Sequence, residues 1–410
     1  MKQLTVTVVG GGVLGATLGV LARLLDVRVR LIAAQRVDRV KIEGASPDFA
    51  SVFPAASVVP HSVRLDRAEE TLKSSLEVFA ALARQVPGIV RSQWHYEIFE
   101  GVVPEALYLP LLSEVEPLSS EAGAGCPLQR SAEVPVSGWR MRSFFVEAPA
   151  YLKMLYRLFE RLGGTIESRM LRGPEELRAL PGDCLIVCAG MGTPELIGRR
   201  EEKHFEEGHL LHLPISLSDL ATEPASYNYT PLAHVHPGPG GRALDVYAYP
   251  RRGSLVLGGT RLPGVQSPDG AVTVDAYAGR TLALPGAGDR EIRVPEAILR
   301  LNRRLLRQLL ALDISKVPAT AFIGRRYRGR SPDAAITMSS EILWDRPVVS
   351  SYGLGGGGVT LSWGLAARLL LEIRSALPVG LHSISEVLTA DLIAHLATRA
   401  ESVQRASSLY

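Results

Sequence analysis

The sequence predicts an α/β fold with two interleaved parts, a Rossmann-like dinucleotide-binding domain and an antiparallel α+β domain. Three observations support this prediction. A glycine-rich turn joins an apolar strand to an apolar helix near the N-terminus, alternating strand patterns fill the middle of the chain, and a second glycine-rich strand–helix junction lies in the last third. At 410 residues the chain is also longer than one small core requires, so two domains are expected.

The first junction has the spacing of a dinucleotide-binding fingerprint. Gly10, Gly12 and Gly15 follow a β-branched strand and open an apolar helix. Gly10 permits the tight turn, Gly12 lets the backbone approach a pyrophosphate, and Gly15 lets the helix pack on the strand. The first amides of that helix, at Val13 and Leu14, are then expected to face the anion.

The second strand, residues 27–33, ends without the acidic residue that usually holds an adenosine ribose. Gln35 stands at its tip, and an amide oxygen accepts a hydrogen bond more weakly than a carboxylate does. Arg36 follows, and an arginine at this point suggests a 2′-phosphate. An NADP-dependent reductase is therefore one alternative that this stretch leaves open.

Small residues mark two further places where a ligand could meet the backbone. Ala55, Ala56 and Ser57 lie between two prolines, so their backbone can approach a flat ring system. Ala189 and Gly190 follow a buried strand, at the edge of a parallel sheet where ligands bind. The remaining periodicity predicts helices over residues 67–85, 144–162 and 299–310, and strands over residues 165–167, 183–187 and, alternating, 208–262.

A run of four glycines interrupts the last strand–helix junction. Ordering such a run costs a large amount of chain entropy, so a structural or functional reason is expected. We expect a helix N-terminus here, with free amides that meet the polar edge of a ligand. The residues of this segment are Gly355, Gly356, Gly357, Gly358, Val359 and Thr360.

The composition restricts the partners. With 46% hydrophobic residues, 21% charged residues and a net charge of +3, the chain is typical of an ordinary globular protein, with neither a nucleic-acid nor a membrane partner expected. Cys126, Cys184 and Cys188 fit neither a zinc site nor a disulfide framework. No metal site is therefore predicted, and a reducing, cytoplasmic location is expected.

Four motifs occur in order: VGGGVLG at residues 9–15, AAS at 55–57, VCAG at 187–190 and YGLGGGGVT at 352–360. Together they resemble the FAD-dependent D-amino-acid oxidase family, which also contains D-aspartate, glycine and sarcosine oxidases. The resemblance spans nearly the whole chain, and its C-terminal motif is the most specific part.

The resemblance implies that the Rossmann-like domain binds FAD and that the antiparallel α+β domain binds the substrate. The first would consist of residues 1–64, 142–213 and 319–410, and the second of residues 65–141 and 214–318.

By the same resemblance, the segment from Gly355 to Thr360 wraps the pyrimidine end of the flavin. Ala55 and Ser57 meet the flavin and its ribityl chain, and Leu171 offers its backbone to the adenine. FAD is expected to be non-covalent, because no cysteine lies in the C-terminal segment where the sarcosine oxidases attach their flavin.

Two substrate-binding residues follow from the resemblance. Tyr247 matches a tyrosine that hydrogen-bonds the substrate carboxylate, and Arg328 matches the arginine that binds the same group. Guanidinium geometry suits that bidentate contact better than an ammonium does. Arg328 belongs to a basic run, so Arg325, Arg326 and Arg330 remain alternatives.

Departures from the family pattern point away from an ordinary small D-amino acid as the substrate. Gln35 replaces an acid, and Gly329 replaces a proline, which makes the arginine segment less rigid. Ala243 stands where the family has a second tyrosine, and His61 lies near the position of another pocket aromatic.

The expected function is the FAD-dependent oxidative deamination of an amino acid, with D configuration and with dioxygen as the electron acceptor. The alternatives are a dehydrogenase of the same family with a quinone or protein acceptor, the NADP reductase, and a catalytically inactive FAD-binding subunit. A homodimer is left open.

Overall fold

The computed structural model describes residues 3–39, 41–53, 56–60, 64–118, 136–287, 290–377 and 380–407. Ala55, His61 and Cys126 lie outside these ranges, so the expectations for them stay predictions. None of the helices within the ranges is long and apolar enough to span a bilayer.

The strands of the described residues, in chain order, are β1 (Thr5–Val9), β2 (Arg28–Ala33), β3 (Ala56–Ser57), β4 (Val90–Glu100), β5 (Ser113–Leu118), β6 (Val136–Val146), β7 (Thr165–Ser168), β8 (Cys184–Val187), β9 (Lys203–Leu213), β10 (Ala225–Thr230), β11 (Val246–Pro250), β12 (Leu255–Gly258), β13 (Leu262–Gln266), β14 (Val272–Val274), β15 (Thr281–Pro285), β16 (Glu291–Pro295), β17 (Thr320–Gly329), β18 (Thr337–Leu343) and β19 (Arg346–Tyr352). The α-helices are α1 (Val13–Leu24), α2 (Ala68–Gln85), α3 (Ala148–Arg161), α4 (Pro174–Arg178), α5 (Thr193–Leu196), α6 (Glu296–Leu310), α7 (Ser362–Glu372), α8 (Ile384–Val387) and α9 (Ala390–Ser407).

The first sheet has the strand order β18-β19-β8-β1-β2-β7. Its neighbours pair in parallel, except for the antiparallel pair β18–β19. Helix α1 packs against α3 and α7. A parallel sheet whose central strand β1 leads through a glycine turn into α1 is the dinucleotide-binding arrangement, so the predicted α/β class is confirmed.

The second sheet has eleven strands, in the order β14-β13-β9-β12-β11-β10-β4-β6-β3, with β17 on β9 and β5 on β6. Its pairs are antiparallel, apart from β10 and β4. Helix α6 lies against β11 and β12 and buries its leucine face there, as its amphipathic pattern indicates. A third, two-stranded sheet pairs β15 with β16.

Strands β9 and β17 belong to the large antiparallel sheet, although both lie in segments expected to form the FAD-binding domain. The predicted domain boundaries themselves stay a prediction.

One predicted helix boundary is wrong. The apolar pattern indicated a helix from residue 144, but Phe144 belongs to β6, which ends at Val146. The carbonyl of Phe144 accepts a hydrogen bond from the Val58 amide, so this backbone is used in sheet pairing. Helix α3 begins at Ala148, with a proline in its first turn where the missing N–H costs no hydrogen bond.

Candidate functional site

A cavity of about 1260 Å³ is lined by residues from both large sheets. Pockets for single small molecules usually measure roughly 300–1,000 Å³. The cavity therefore has room for a dinucleotide together with a small substrate.

At two positions of the glycine turn at one end of this cavity, a side chain would collide with backbone. Gly10 has a φ of +126°, and a Cβ built there would lie 2.2 Å from the carbonyl oxygen of Cys188. A Cβ on Gly15 would lie 1.9 Å from the carbonyl oxygen of Gly10. Gly15 is not itself in the cavity lining, so its role is the close packing of helix α1 on the turn.

The start of α1 faces the cavity through Gly12, Val13 and Leu14. The Val13 amide donates to the hydroxyl oxygen of Ser51 at 3.0 Å, a contact that sequence reasoning missed. Ser51 also lines the cavity, so its hydroxyl can serve an anion beside the helix N-terminus.

The two predicted cofactor residues at the tip of β2 differ in where their side chains lie. Gln35 lines the cavity, and its Oε1 accepts from the Ser46 amide at 3.3 Å. Arg36 is absent from the lining: its guanidinium donates to both carboxylate oxygens of Asp38, at 2.9 and 2.6 Å, and pairs with Glu160 at 3.2 Å. These carboxylates hold the guanidinium outside the cavity lining, and the expectation that Arg36 contacts the cofactor stays a prediction.

Several other predicted cofactor residues are brought together in the lining. They are Ala56, Ser57, Leu171, Ala189, Gly190, Gly355, Gly356, Gly358, Val359 and Thr360. The exception is Gly357, which is not in the lining and whose amide donates to the Leu354 carbonyl at 2.9 Å.

The C-terminal glycines were expected to form a helix N-terminus, but they lie in the loop that precedes the helix. They form turns, and α7 begins only at Ser362. The Thr360 hydroxyl donates to the Val59 carbonyl at 3.3 Å, which ties this segment to the one after β3. The segment thus meets the cavity through the backbone of a loop rather than through a helix N-terminus.

Arg328 lines the cavity, but its guanidinium is engaged by the protein. Its Nη2 donates to Oε2 of Glu206 at 2.6 Å, and both residues are buried. Burial lowers the pKa of Arg328, and the Glu206 charge opposes that effect. Burial acts to raise the pKa of Glu206, but the Arg328, Arg261 and Arg326 charges hold it below its ordinary value.

Arg328 also supports the C-terminal glycines. Gly355 has a φ of +51°, and a Cβ there would lie 2.9 Å from Nη1 of Arg328. The Gly355 amide donates to the Tyr327 carbonyl at 2.8 Å. Arg328 therefore lies in the wall behind the glycine segment, and its predicted role as the carboxylate anchor stays a prediction.

Arg326, one of the alternatives to Arg328, lies beside Tyr247 in the cavity wall. Its Nη2 donates to the Tyr247 hydroxyl at 3.4 Å and its Nη1 to the Thr260 carbonyl at 3.4 Å. No ion pair joins Arg326 to a carboxylate of the described residues, whereas Arg325 is paired with Glu207. Arg330 is exposed and lies outside the lining.

Two strand glycines make room for this pair of side chains. A Cβ on Gly258 would lie 2.0 Å from Cζ of Tyr247, and a Cβ on Gly208 would lie 2.9 Å from Nη1 of Arg326. The Tyr247 ring is further fixed by stacking on Tyr249, with centroids 4.8 Å apart. A glycine within a strand pattern signals such close approach, and that signal could have identified both positions.

The family model described as FAD dependent oxidoreductase, DAO, matches residues 5–372 of the chain. A D-amino-acid oxidase of Streptomyces coelicolor is 27% identical over 88% of this chain and 94% of its own length. A D-amino-acid oxidase of Rubrobacter xylanophilus is 28% identical over 90% of this chain and 96% of its own length.

Solved structures share the fold at lower identity. The fructosamine oxidase of Aspergillus fumigatus is 13% identical with a TM-score of 0.60, covering 96% of this chain and 92% of its own. The iminodiacetate oxidase of Chelativorans sp. BNC1 is 16% identical with a TM-score of 0.57, covering 92% and 97%.

The residues present fit FAD. Gly10 and Gly15 form a turn that a Cβ would block, and the α1 N-terminus faces the cavity for a pyrophosphate. At the far end, Gly356 and Gly358 expose backbone to the cavity with little side-chain bulk. Cys188 also lines the cavity, but burial raises the pKa of its thiol to about 12, so it is protonated at neutral pH and a poor nucleophile.

We predict that Arg328→Met weakens FAD binding about tenfold, which corresponds to about 1.4 kcal/mol. The substitution removes the support behind Gly355 and leaves the Glu206 carboxylate buried without its guanidinium. The measurement is the FAD dissociation constant from titration of the apoprotein.

The matched control is the double variant Arg328→Met with Glu206→Gln, which removes the stranded charge and should recover part of the affinity. An Arg328→Met protein with unchanged FAD affinity and a raised KM would instead make Arg328 the substrate anchor.

Proposed function

The chain belongs to the family of FAD-dependent oxidoreductases that includes the D-amino-acid oxidases, and from that premise we propose that it oxidatively deaminates a D-amino acid with dioxygen as the acceptor. The D configuration is supported by the names of the two relatives in Streptomyces coelicolor and Rubrobacter xylanophilus. Both relatives cover nearly the whole chain, so the comparison includes both parts of the cavity.

One observation supports the amino-acid substrate most directly. Arg326 and the Tyr247 hydroxyl meet in the cavity wall, and the arginine is not held by an ion pair with any carboxylate of the described residues. A guanidinium in a cavity wall favours a planar anion that accepts two parallel hydrogen bonds. We assign the substrate carboxylate to this pair.

The residues of the chain then act by binding and orientation. Arg326 and Tyr247 hold the carboxylate, and this contact fixes the Cα of the substrate relative to the segment from Gly355 to Thr360. FAD, when bound, supplies the acceptor for the two electrons that leave the substrate.

The overall reaction requires no strong base from the protein, and its atoms and electrons balance. The amino acid loses two electrons and two protons to become an imino acid, and water converts the imino acid to a 2-oxo acid and ammonia. Dioxygen takes up the two electrons and two protons and leaves as hydrogen peroxide.

We predict that Arg326→Met lowers kcat/KM for the amino acid about a hundredfold, because a desolvated carboxylate loses a charged partner worth roughly 3 kcal/mol. The visible spectrum of bound FAD should not change. The control is Arg330→Met, four residues further along, where the exposed side chain should leave kcat/KM near wild type. Equal losses in both variants would contradict the assignment.

A second prediction concerns Gly258, which leaves space for the ring of Tyr247. Gly258→Ala places a Cβ against the Tyr247 ring, so the ring must move and KM should rise about tenfold or more, roughly 1.4 kcal/mol. Gly253→Ala is the matched control on the turn between β11 and β12, where nothing lies within 4 Å. Steady-state kinetics with FAD content measured on each protein makes the comparison, and unchanged KM in Gly258→Ala would count against Tyr247.

The identity of the electron acceptor can be tested separately. Enzyme reduced anaerobically by its amino acid should be reoxidised rapidly when mixed with dioxygen in a stopped-flow instrument, with one hydrogen peroxide formed per 2-oxo acid. Slow reoxidation by dioxygen combined with fast reoxidation by a soluble quinone would identify a dehydrogenase instead.

A further inference from the structure

A row of polar side chains crosses the antiparallel sheet beside the anchor. In the strand register Tyr247 lies opposite Asn228, and Asn228 lies opposite Glu97. Residues opposite each other on neighbouring strands project from the same face. All three residues line the cavity, so this face forms part of its wall.

Glu97 is a buried carboxylate at the far end of this row. Its relative exposure is 2%. Oε1 accepts from Asn228 Nδ2 at 2.8 Å and lies 2.6 Å from Nε2 of His95. The Asn228 Oδ1 in turn accepts from the Tyr249 hydroxyl at 2.5 Å, so the carboxylate and the ring that stacks on Tyr247 are held in one network.

Tyr247 and Glu97 lie on strands separated by one intervening strand, so their backbones are about 9.5 Å apart. Both residues belong to the same face of the sheet, and both line the cavity. This face therefore presents a hydroxyl and a carboxylate to a ligand that carries two polar groups.

Charge also favours Glu97 as the partner of a cation. An ammonium group taken out of water needs a counter-charge. The partners of Glu97 include an imidazole and an amide, and a carboxylate can accept about four hydrogen bonds.

We propose that Glu97 binds the ammonium group of the substrate, opposite the carboxylate site at Arg326 and Tyr247. This inference rests on the proposed function. It makes the site a receptor for a zwitterion with two charged ends, and it assigns Asn228 and His95 as positioning residues that hold the Glu97 carboxylate.

Two isosteric ligands without an α-hydrogen test the inference by calorimetry on the FAD-loaded protein. 2-Aminoisobutyrate carries an ammonium group where trimethylacetate carries a methyl group, and neither can be oxidised at Cα. Wild-type protein should bind 2-aminoisobutyrate at least tenfold more tightly than trimethylacetate.

Glu97→Gln should bring this ratio close to one while trimethylacetate keeps its wild-type affinity. A structural role for Glu97 would instead weaken both ligands equally, and that result would overturn the proposal. If Glu97→Gln fails to hold FAD, Glu97→Asp provides the second variant. Glu97→Asp keeps the charge but shortens the side chain by one methylene, so the affinity ratio should fall between the wild-type ratio and one. An unchanged ratio would overturn the proposal.

The same titrations separate this inference from the proposed function. If trimethylacetate does not bind wild-type protein, the carboxylate site itself fails. If it binds in an Arg326-dependent way but the two ligands have equal affinity, the carboxylate site stands and the role of Glu97 is rejected.

Discussion

The approach of three backbone segments at the start of α1 is the constraint on which the cavity depends. The carbonyl of Cys188 lies against Gly10, and the carbonyl of Gly10 lies against Gly15, so neither glycine can bear a Cβ without displacing backbone. Strand β8, the turn after β1 and helix α1 are thereby held in one arrangement. The N-terminus of α1 then faces a cavity whose opposite wall is the antiparallel sheet.

Ion pairing decides which arginine of β17 remains for a ligand. Arg326 and Arg328 are two residues apart on one strand, and both line the cavity. Glu206 on β9 is the register partner of Arg326, yet its carboxylate bonds to Arg328. This buried pair supports the wall behind Gly355, and it leaves Arg326 with the Tyr247 hydroxyl and a carbonyl as its hydrogen-bond partners.

Local patterns were predictable from the sequence, and contacts between distant strands were not. The first glycine motif and the C-terminal glycines are short signals whose backbone conformation depends on neighbours in the chain, and most of these glycines line the cavity. The ion pairs of Arg36 and Arg328 involve residues distant in sequence, Glu160 from α3 and Glu206 from β9, which no local pattern indicates. Asp38, two residues along the chain, also pairs with Arg36. Glu97 gave no motif at all, since only strand register brings it to the wall beside Tyr247.

The most direct test of the account is a crystal structure of the FAD-loaded protein with benzoate, a carboxylate that has no α-hydrogen to lose. We predict its carboxylate within hydrogen-bond distance of both the Arg326 guanidinium and the Tyr247 hydroxyl, with Arg328 still bound to Glu206. A benzoate carboxylate bound to Arg328, with Glu206 released, would contradict the assignment of the two arginines.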